Sequence, residues 1–127
     1  MGFLYNQDYP RARVHTGVGD GVTIQSGAGN WELGAPMNMI GAVETASKPY
    51  RIIGIIVEDV SAPDVFFFRL LDLASNEVGA VKFPTTGYYP IQSKIRPAES
   101  ETAGQIACAG GGSKTAKISL QFIIFQR

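Results

Sequence analysis

The sequence has little of the residue types that build most catalytic and metal sites. Its 127 residues include one cysteine, Cys108, and one histidine, His15. One cysteine cannot form a disulfide within the chain, and one thiolate with one imidazole falls short of a four-ligand zinc site. His15 lies in a segment without a regular pattern, which is a poor platform for holding an imidazole between an acid and a nucleophile. We therefore expect no metal ion, no cofactor and no catalytic residues.

Charged residues are scarce as well. They make up 17% of the chain, against about 25% in typical soluble domains, and the 11 basic residues balance the 11 acidic ones. The basic residues are scattered, whereas a nucleic-acid-binding protein presents a clustered basic surface. A chain with no net charge tends to associate. We therefore expect no nucleic-acid partner, and we expect other protein subunits to cover part of the surface.

Long hydrophobic runs are missing too. The longest apolar stretch, residues 52–57, is the size of a strand and far below the ~18 residues of a membrane-spanning helix. The first eight residues lack the basic and apolar regions of a signal peptide. We expect no membrane partner and synthesis in a reducing cytoplasm.

What the chain has in quantity is short β segments separated by turn residues. The candidate strands are residues 22–25, 31–33, 50–60, 65–73, 78–83, 88–93, 105–109 and 116–124. The 65–73 and 78–83 segments predict a hairpin, although a short helix competes for 65–73, and the glycine-rich residues 110–113 predict a second hairpin loop. About eight short strands predict an all-β antiparallel fold: a β-sandwich or jelly roll, or else a small barrel.

The strand predicted for residues 50–60 is apolar on both faces. Strict alternation places Ile53, Ile55 and Val57 on one face and Ile52, Gly54 and Ile56 on the other. Such a strand is covered on both sides.

The last strand is also apolar on both faces near its end. Phe122 and Ile124 continue the core face, while Ile123 and Phe125 add bulk to the opposite face. An outward apolar patch marks a contact site, so we predict that Ile123 and Phe125 lie at a subunit interface.

Residues 1–20 differ from the rest of the chain. They have no hydrophobic period, they contain Phe3, Tyr5 and Tyr9, and they end in glycines that disfavour a helix. We predict an extended N-terminal arm over residues 1–20 and a single β-sandwich domain over residues 21–127. The arm packs on its own domain or on a neighbour, and we expect a neighbouring subunit.

Several patterns suggest chemistry but fail on their context. Residues 110–115 resemble a phosphate-binding loop, yet serine precedes the lysine and a strand follows, where the motif needs glycine and a helix. Residues 17–22 lack the third glycine of the dinucleotide fingerprint. Adjacent Glu58 and Asp59 face opposite sides of a strand and cannot work as paired glycosidase carboxylates.

Four aromatic residues leave two interpretations open. Trp31 with Tyr50, Tyr88 and Tyr89 is compatible with a sugar-stacking platform. Aromatic residues of this kind also serve as core members or as interface anchors, and we favour the core or interface.

From residue 26 onward the order of segments resembles a known family. A glycine-rich stretch runs into Trp31-Glu32-Leu33-Gly34, and the apolar strand 50–58, the hairpin 65–83, a proline-flanked stretch at 90–98 and an alternating terminal strand follow. This order resembles small capsid decoration (cement) proteins that tailed bacteriophages encode beside their capsid genes. The resemblance covers about residues 26–127. It implies a β-sandwich subunit that oligomerises, often as a trimer, and binds the outside of a capsid.

The residues and the resemblance together predict a non-enzymatic virion structural protein. Its expected partners are its own copies, as a trimer, and the major capsid protein, with no small-molecule substrate. Its expected location is the capsid surface, after synthesis in the host cytoplasm. The alternative is a receptor- or carbohydrate-binding module of a phage tail or fibre. The candidate interface residues are apolar or aromatic: Phe3, Tyr5, Tyr9, Trp31, Tyr88, Tyr89, Ile123 and Phe125.

Overall fold

The computed structural model describes residues 11–15, 21–40 and 48–125, and these contain nine β-strands and no helix. The strands are β1 (Arg11–His15), β2 (Val22–Gln25), β3 (Met37–Ile40), β4 (Tyr50–Val60), β5 (Phe66–Leu71), β6 (Glu77–Phe83), β7 (Gly87–Pro90), β8 (Thr102–Cys108) and β9 (Thr115–Ile124). The all-β prediction is confirmed, and the competing helix for residues 65–73 is wrong.

The strands form two antiparallel sheets. One sheet has the order β1-β9-β4-β7, with β2 also paired to β9, and the other has the order β3-β8-β5-β6. β1 pairs with the last half of β9 and β2 with its first half, so together they line one edge of it. Each early strand therefore pairs with a late one, in nested order: β2 with β9, β3 with β8, β4 with β7 and β5 with β6. This winding of paired strands into two sheets is a jelly roll, which confirms the predicted sandwich.

The core lies between the inward faces of the two sheets. Its largest fully buried side chains are Tyr50, Phe66, Phe68, Phe83 and Phe122. The rings of Phe66 and Phe83 stack with their centres 5.2 Å apart. Each fully buried side chain of this size contributes roughly 1.5–3 kcal/mol. The period-two assignment of β9 is correct, because Phe122 is fully buried and Ile124 packs against the core.

The predicted faces of β4 are wrong for part of the strand. The pairing with β9 shifts between Ile52 and Gly54, which is a β-bulge. A bulge adds one residue to a strand and so changes which residues face the core. Ile52 and Ile55 both point inward and are fully buried, whereas Ile53 is half-buried on the outward face.

Two other local predictions are also wrong. Residues 30–31 form a turn, closed by a hydrogen bond from the Glu32 N–H to the Gly29 carbonyl, and residues 32–36 form a loop, so the short strand predicted at 31–33 does not exist. The glycine-rich residues 110–113 do not close a hairpin, because β8 and β9 belong to different sheets. This connection crosses from one sheet to the other.

The segment predicted as an arm is described only between residues 11 and 15. Arg11–His15 forms β1 and pairs with Leu120–Ile124 of the same chain. His15 therefore lies on a strand and not in an irregular segment. The division into an arm and a domain stays a prediction.

Candidate interaction surfaces

The outward side of the five-stranded sheet is uncharged over its middle. Ile53 and Ile56 on β4, Tyr88 on β7, and Ile123 and Phe125 at the end of β9 lie there, and we call this surface the apolar face. Ile56 lies directly opposite Tyr88 on one side and Ser119 on the other, and residues opposite each other in antiparallel strands share a face. The isoleucines are half-buried and Tyr88 is 50% exposed.

Tyr88 is positioned by a glycine. A Cβ at Gly54 would overlap the ring and hydroxyl of Tyr88, so the ring covers Gly54. Gly54 is buried for this reason although it faces outward. An aromatic ring that covers a strand glycine replaces the side-chain contacts that the glycine lacks.

Charges on this side of the sheet stand at the two ends of β4. Arg51 is exposed at one end and Glu58 at the other. The Glu58 carboxylate accepts a hydrogen bond from the Ser119 hydroxyl and lies 3.7 Å from Lys117 Nζ. Between Arg51 and Glu58, the outward side of β4 carries no ionisable group.

The outward side of the four-stranded sheet is different, and we call it the polar face. Arg69 on β5 donates a hydrogen bond to Gln105 on β8 at 3.0 Å and lies 4.0 Å from Glu77 on β6. Gln105 in turn donates to the carbonyl of Gly34 at 2.7 Å. Lys82 adds another exposed charge. Arg69, Glu77 and Gln105 therefore have partners within the chain.

The β2–β3, β4–β5 and β8–β9 connections meet at one end of the sandwich, which we call the loop end. The backbone N–H of Gly112 donates to the carbonyl of Ala28 at 2.8 Å, and that of Ser113 donates to Gly27 at 3.1 Å. Gly110 donates to Asp64 Oδ2 at 3.0 Å. These bonds hold the glycine-rich loop against its neighbours.

At the loop end, the Asp64 carboxylate accepts hydrogen bonds from several parts of the chain. The Cys108 thiol and Lys114 Nζ both donate to Asp64 Oδ2 at 2.8 Å, and the backbone N–H of Val65 donates to Oδ1 at 2.7 Å. The Cys108 and Lys114 bonds hold the pKa of Asp64 well below its usual range. Burial, and then the bond to Asp64, raises the pKa of Cys108. A buried thiol that stays protonated is a poor nucleophile, so this cluster is built to fix loops.

Trp31 is the exposed aromatic residue of the loop end. It is 46% exposed, and its φ of 55° lies in the left-handed region, which costs a bulky residue about 1–3 kcal/mol. Its backbone N–H donates to the Cys108 carbonyl at 2.8 Å. Lys82 Nζ lies 5.1 Å from the centre of the ring, a cation–π contact. A fixed and exposed indole is suited to anchor a partner.

The predicted interface residues lie in different places. Tyr88, Ile123 and Phe125 lie on the apolar face, and Trp31 lies at the loop end. Tyr89 points inward, because its ring is 5.6 Å from that of Phe83 and its hydroxyl donates to the Thr85 carbonyl at 2.9 Å. Phe3, Tyr5 and Tyr9 lie outside the described residues. Their assignment to an interface stays a prediction.

Sequence reasoning missed several exposed apolar residues. Leu73, Ile95, Val65 and Met37 are each more than two-fifths exposed. Leu73 follows β5, and Ile95 lies between two prolines. Neither residue belongs to an alternating segment, so the hydrophobic pattern did not indicate that its side chain is exposed. Ile53 was assigned to the wrong face because a bulge has no signature in the period.

Within residues 11–15, 21–40 and 48–125, no three His, Cys, Asp or Glu side chains converge as metal ligands would. In the same ranges no helix has the length and apolar character needed to span a membrane. A groove of about 410 Å³ opens beside the first half of β4, lined by Arg51, Ile53, Ile91, Gln92 and Ser93.

Comparisons with known proteins leave the family open. No protein-family model matches the chain, and no curated protein matches it. Among solved structures, the chain is similar to a chain in the structure of infectious bursal disease virus, Gx strain, with 17% identity and a TM-score of 0.42. The similarity covers 94% of this chain and 33% of that chain, so this chain spans about a third of its length.

Proposed function

We propose that this chain is a structural protein of a virus particle, without enzymatic activity. In this proposal it is a capsid decoration or stabilising subunit on the capsid surface, and it binds the major capsid protein and its own copies. The resemblance of residues 26–127 to phage decoration proteins supports the proposal, as does the low charge of the chain.

The apolar face is the observation that carries the proposal. Ile53, Ile56 and Ile123 are only half-buried in the isolated chain, and Tyr88 is 50% exposed. Covering apolar surface gains about 25 cal/mol per Å². On the polar face, where Phe67 is also half-buried, the charged and polar side chains of Arg69, Glu77 and Gln105 pair within the chain. A second protein surface is the natural cover for a face left without such a network.

The hydrogen bonds of Asp64, whose pKa is lowered by its neighbours, also favour a structural role. Asp64 accepts bonds from Cys108, Lys114, Gly110 and Val65, so its oxygens are committed to holding loops. A catalytic carboxylate needs at least one oxygen free for substrate.

Particle binding tests this proposal. Particles that lack the subunit are mixed with purified subunit, separated by sedimentation and imaged by electron microscopy. Density spread regularly over the head is the expected result. Density confined to the tail would support the receptor-binding alternative, and no bound subunit would contradict both.

Self-association belongs to the same proposal, and the resemblance implies a trimer. Light scattering of the purified chain measures the mass directly. Residues 1–9 are proposed to contribute to docking on a neighbour, and their deletion leaves β1 in place. That deletion should weaken particle binding without changing the melting temperature.

A glycan-binding module of a tail or fibre is the second candidate function. The exposed indole of Trp31, fixed by its backbone and by Lys82, favours it. Binding to a glycan array that Trp31→Ala abolishes, while subunit mass and melting stay unchanged, would support this candidate.

A further inference from the structure

We propose that two copies of this chain pair through their apolar faces, related by a two-fold axis that runs across the strands near Gly54 and Ile55. This inference rests on the proposed function for self-association, and it puts a pair in place of the trimer that the resemblance implies. Two sheets would then pack face to face about 10 Å apart.

The outward residues of β4 are arranged symmetrically about that axis. The bulge at Ile53 places Arg51, Ile53, Gly54, Ile56 and Glu58 on the outward side. A two-fold axis across the strands reverses their order in the second copy. Ile53 of each copy then meets Ile56 of the other, and Arg51 of each meets Glu58 of the other. An isologous contact requires this kind of self-complementary pattern.

The middle of the contact is aromatic. Tyr88 lies on β7 beside Ile56, its ring and hydroxyl cover Gly54, and it is 50% exposed. Because Gly54 lies beside the axis, the same rotation brings the two Tyr88 rings together, next to the groove that Arg51, Ile53, Ile91, Gln92 and Ser93 line in each copy.

The area is at the lower limit for a specific pair. The five strands of this sheet contain 34 residues, which at ~3.3 Å per residue and ~4.8 Å per strand cover roughly 540 Å². The pair therefore buries at most about 1,080 Å², just above the ~1,000 Å² that a specific interface clears.

Charge reversal with mixing tests the two-fold contact. Arg51→Glu places like charges together twice in the pair, and so does Glu58→Arg, so each variant alone should bind itself at least ~10-fold more weakly. In an equimolar mixture, the two reversed charges face each other at one contact and the native charges at the other. Sedimentation should then show recovery of a species of twice 13.6 kDa, about 27 kDa.

Controls separate folding from association. Lys82→Glu on the polar face should leave the pair intact, and circular dichroism should show all variants folded. Since Glu58 also binds Ser119 and Lys117, Tyr88→Ala provides a second test that keeps those contacts. It should weaken the pair at least ~10-fold, because the exposed ring in the middle of the contact is removed.

Several outcomes would overturn the inference. They are a monomeric wild-type chain at ~100 µM, folded variants whose mixture stays monomeric, or a wild-type mass of three chains. If Arg51→Glu abolishes particle binding but leaves self-association intact, the capsid protein covers this face, which overturns the inference and keeps the proposed function. A pair that forms but never binds particles contradicts the proposed function alone.

Discussion

The outward sides of the two sheets differ although both sheets alternate in the same way. On the polar face, Arg69 forms a hydrogen bond with Gln105 and an ion pair with Glu77, so these three polar groups are paired within one chain. On the apolar face, Ile56 and Ile123 have no such network, and the charges stand at the ends. A sheet needs only one buried face for stability, so the chemistry of its second face reports on its surroundings. This difference is what points to a partner on one side of the sandwich.

The largest expected effect separates the inward and outward sides of β9. Phe122→Ala empties a fully buried site and should cost ~3–5 kcal/mol of unfolding free energy. Phe125→Ala, just past the end of the strand, should leave the fold nearly unchanged and weaken association. Urea denaturation and sedimentation of the two variants measure both effects. An unfolded Phe125→Ala variant would contradict the assignment of its side to the surface.

A matched pair of variants tests the two outward faces directly. Ile56→Ala should weaken association by about 1–4 kcal/mol if Ile56 is an interface anchor, while the monomer fold changes little. Arg69→Ala breaks an intrachain network and should leave association unchanged. Analytical ultracentrifugation gives both constants. Dissociation by Arg69→Ala would reverse the roles of the faces.

A smaller effect is expected at the glycine of the apolar face. Gly54→Ala pushes against the Tyr88 ring, which can swing away because it is exposed, so the cost should be about 1 kcal/mol. The same substitution in a Tyr88→Ala background should cost less. Thermal melts of the single and double variants measure the coupling, and equal costs in both backgrounds would show that the ring does not lie over Gly54.

The smallest effect concerns the loop end and its dependence on pH. The folded-state pKa of Asp64 is lowered from its ordinary value of 3.8, so its bonds to Cys108 and Lys114 stabilise the fold above that value. That stability is lost as the pH falls further and the carboxylate is protonated. Asp64→Asn should remove this part of the acid dependence. Urea denaturation between pH 2 and pH 7 is the measurement, and identical pH profiles for both proteins would contradict the assignment.

Much of the fold could be predicted from alternation and turn residues. β9 shows this best, since its even-numbered residues are apolar from Ala116 to Ile124 and lie inward. The hairpin of β5 and β6 is local in sequence and was also predicted correctly. The crossing of residues 110–113 between sheets was not, because a glycine-rich loop is compatible with either connection.

The candidate surfaces were harder to predict. Ile123 and Phe125 were found because a strict period cannot place four successive apolar residues in one core. Tyr88 and Tyr89 looked alike in the sequence, yet their adjacent positions on β7 point to opposite sides. Ile53 was misplaced because its bulge arises from the pairing with β9, which lies some 70 residues away in the chain.

By itself, the sequence determined the all-β class, most strand positions and the inward side of β9. These follow from local propensity and a two-residue period, which need no knowledge of neighbouring strands. Only the tertiary structure decided the order of the strands, the bulge in β4 and the gathering of Asp64, Cys108 and Lys114. It also decided that Arg51, Ile53, Ile56 and Glu58 share one outward face. The reason is physical: pairing partners distant in the chain set the register, and the register decides which side chains meet.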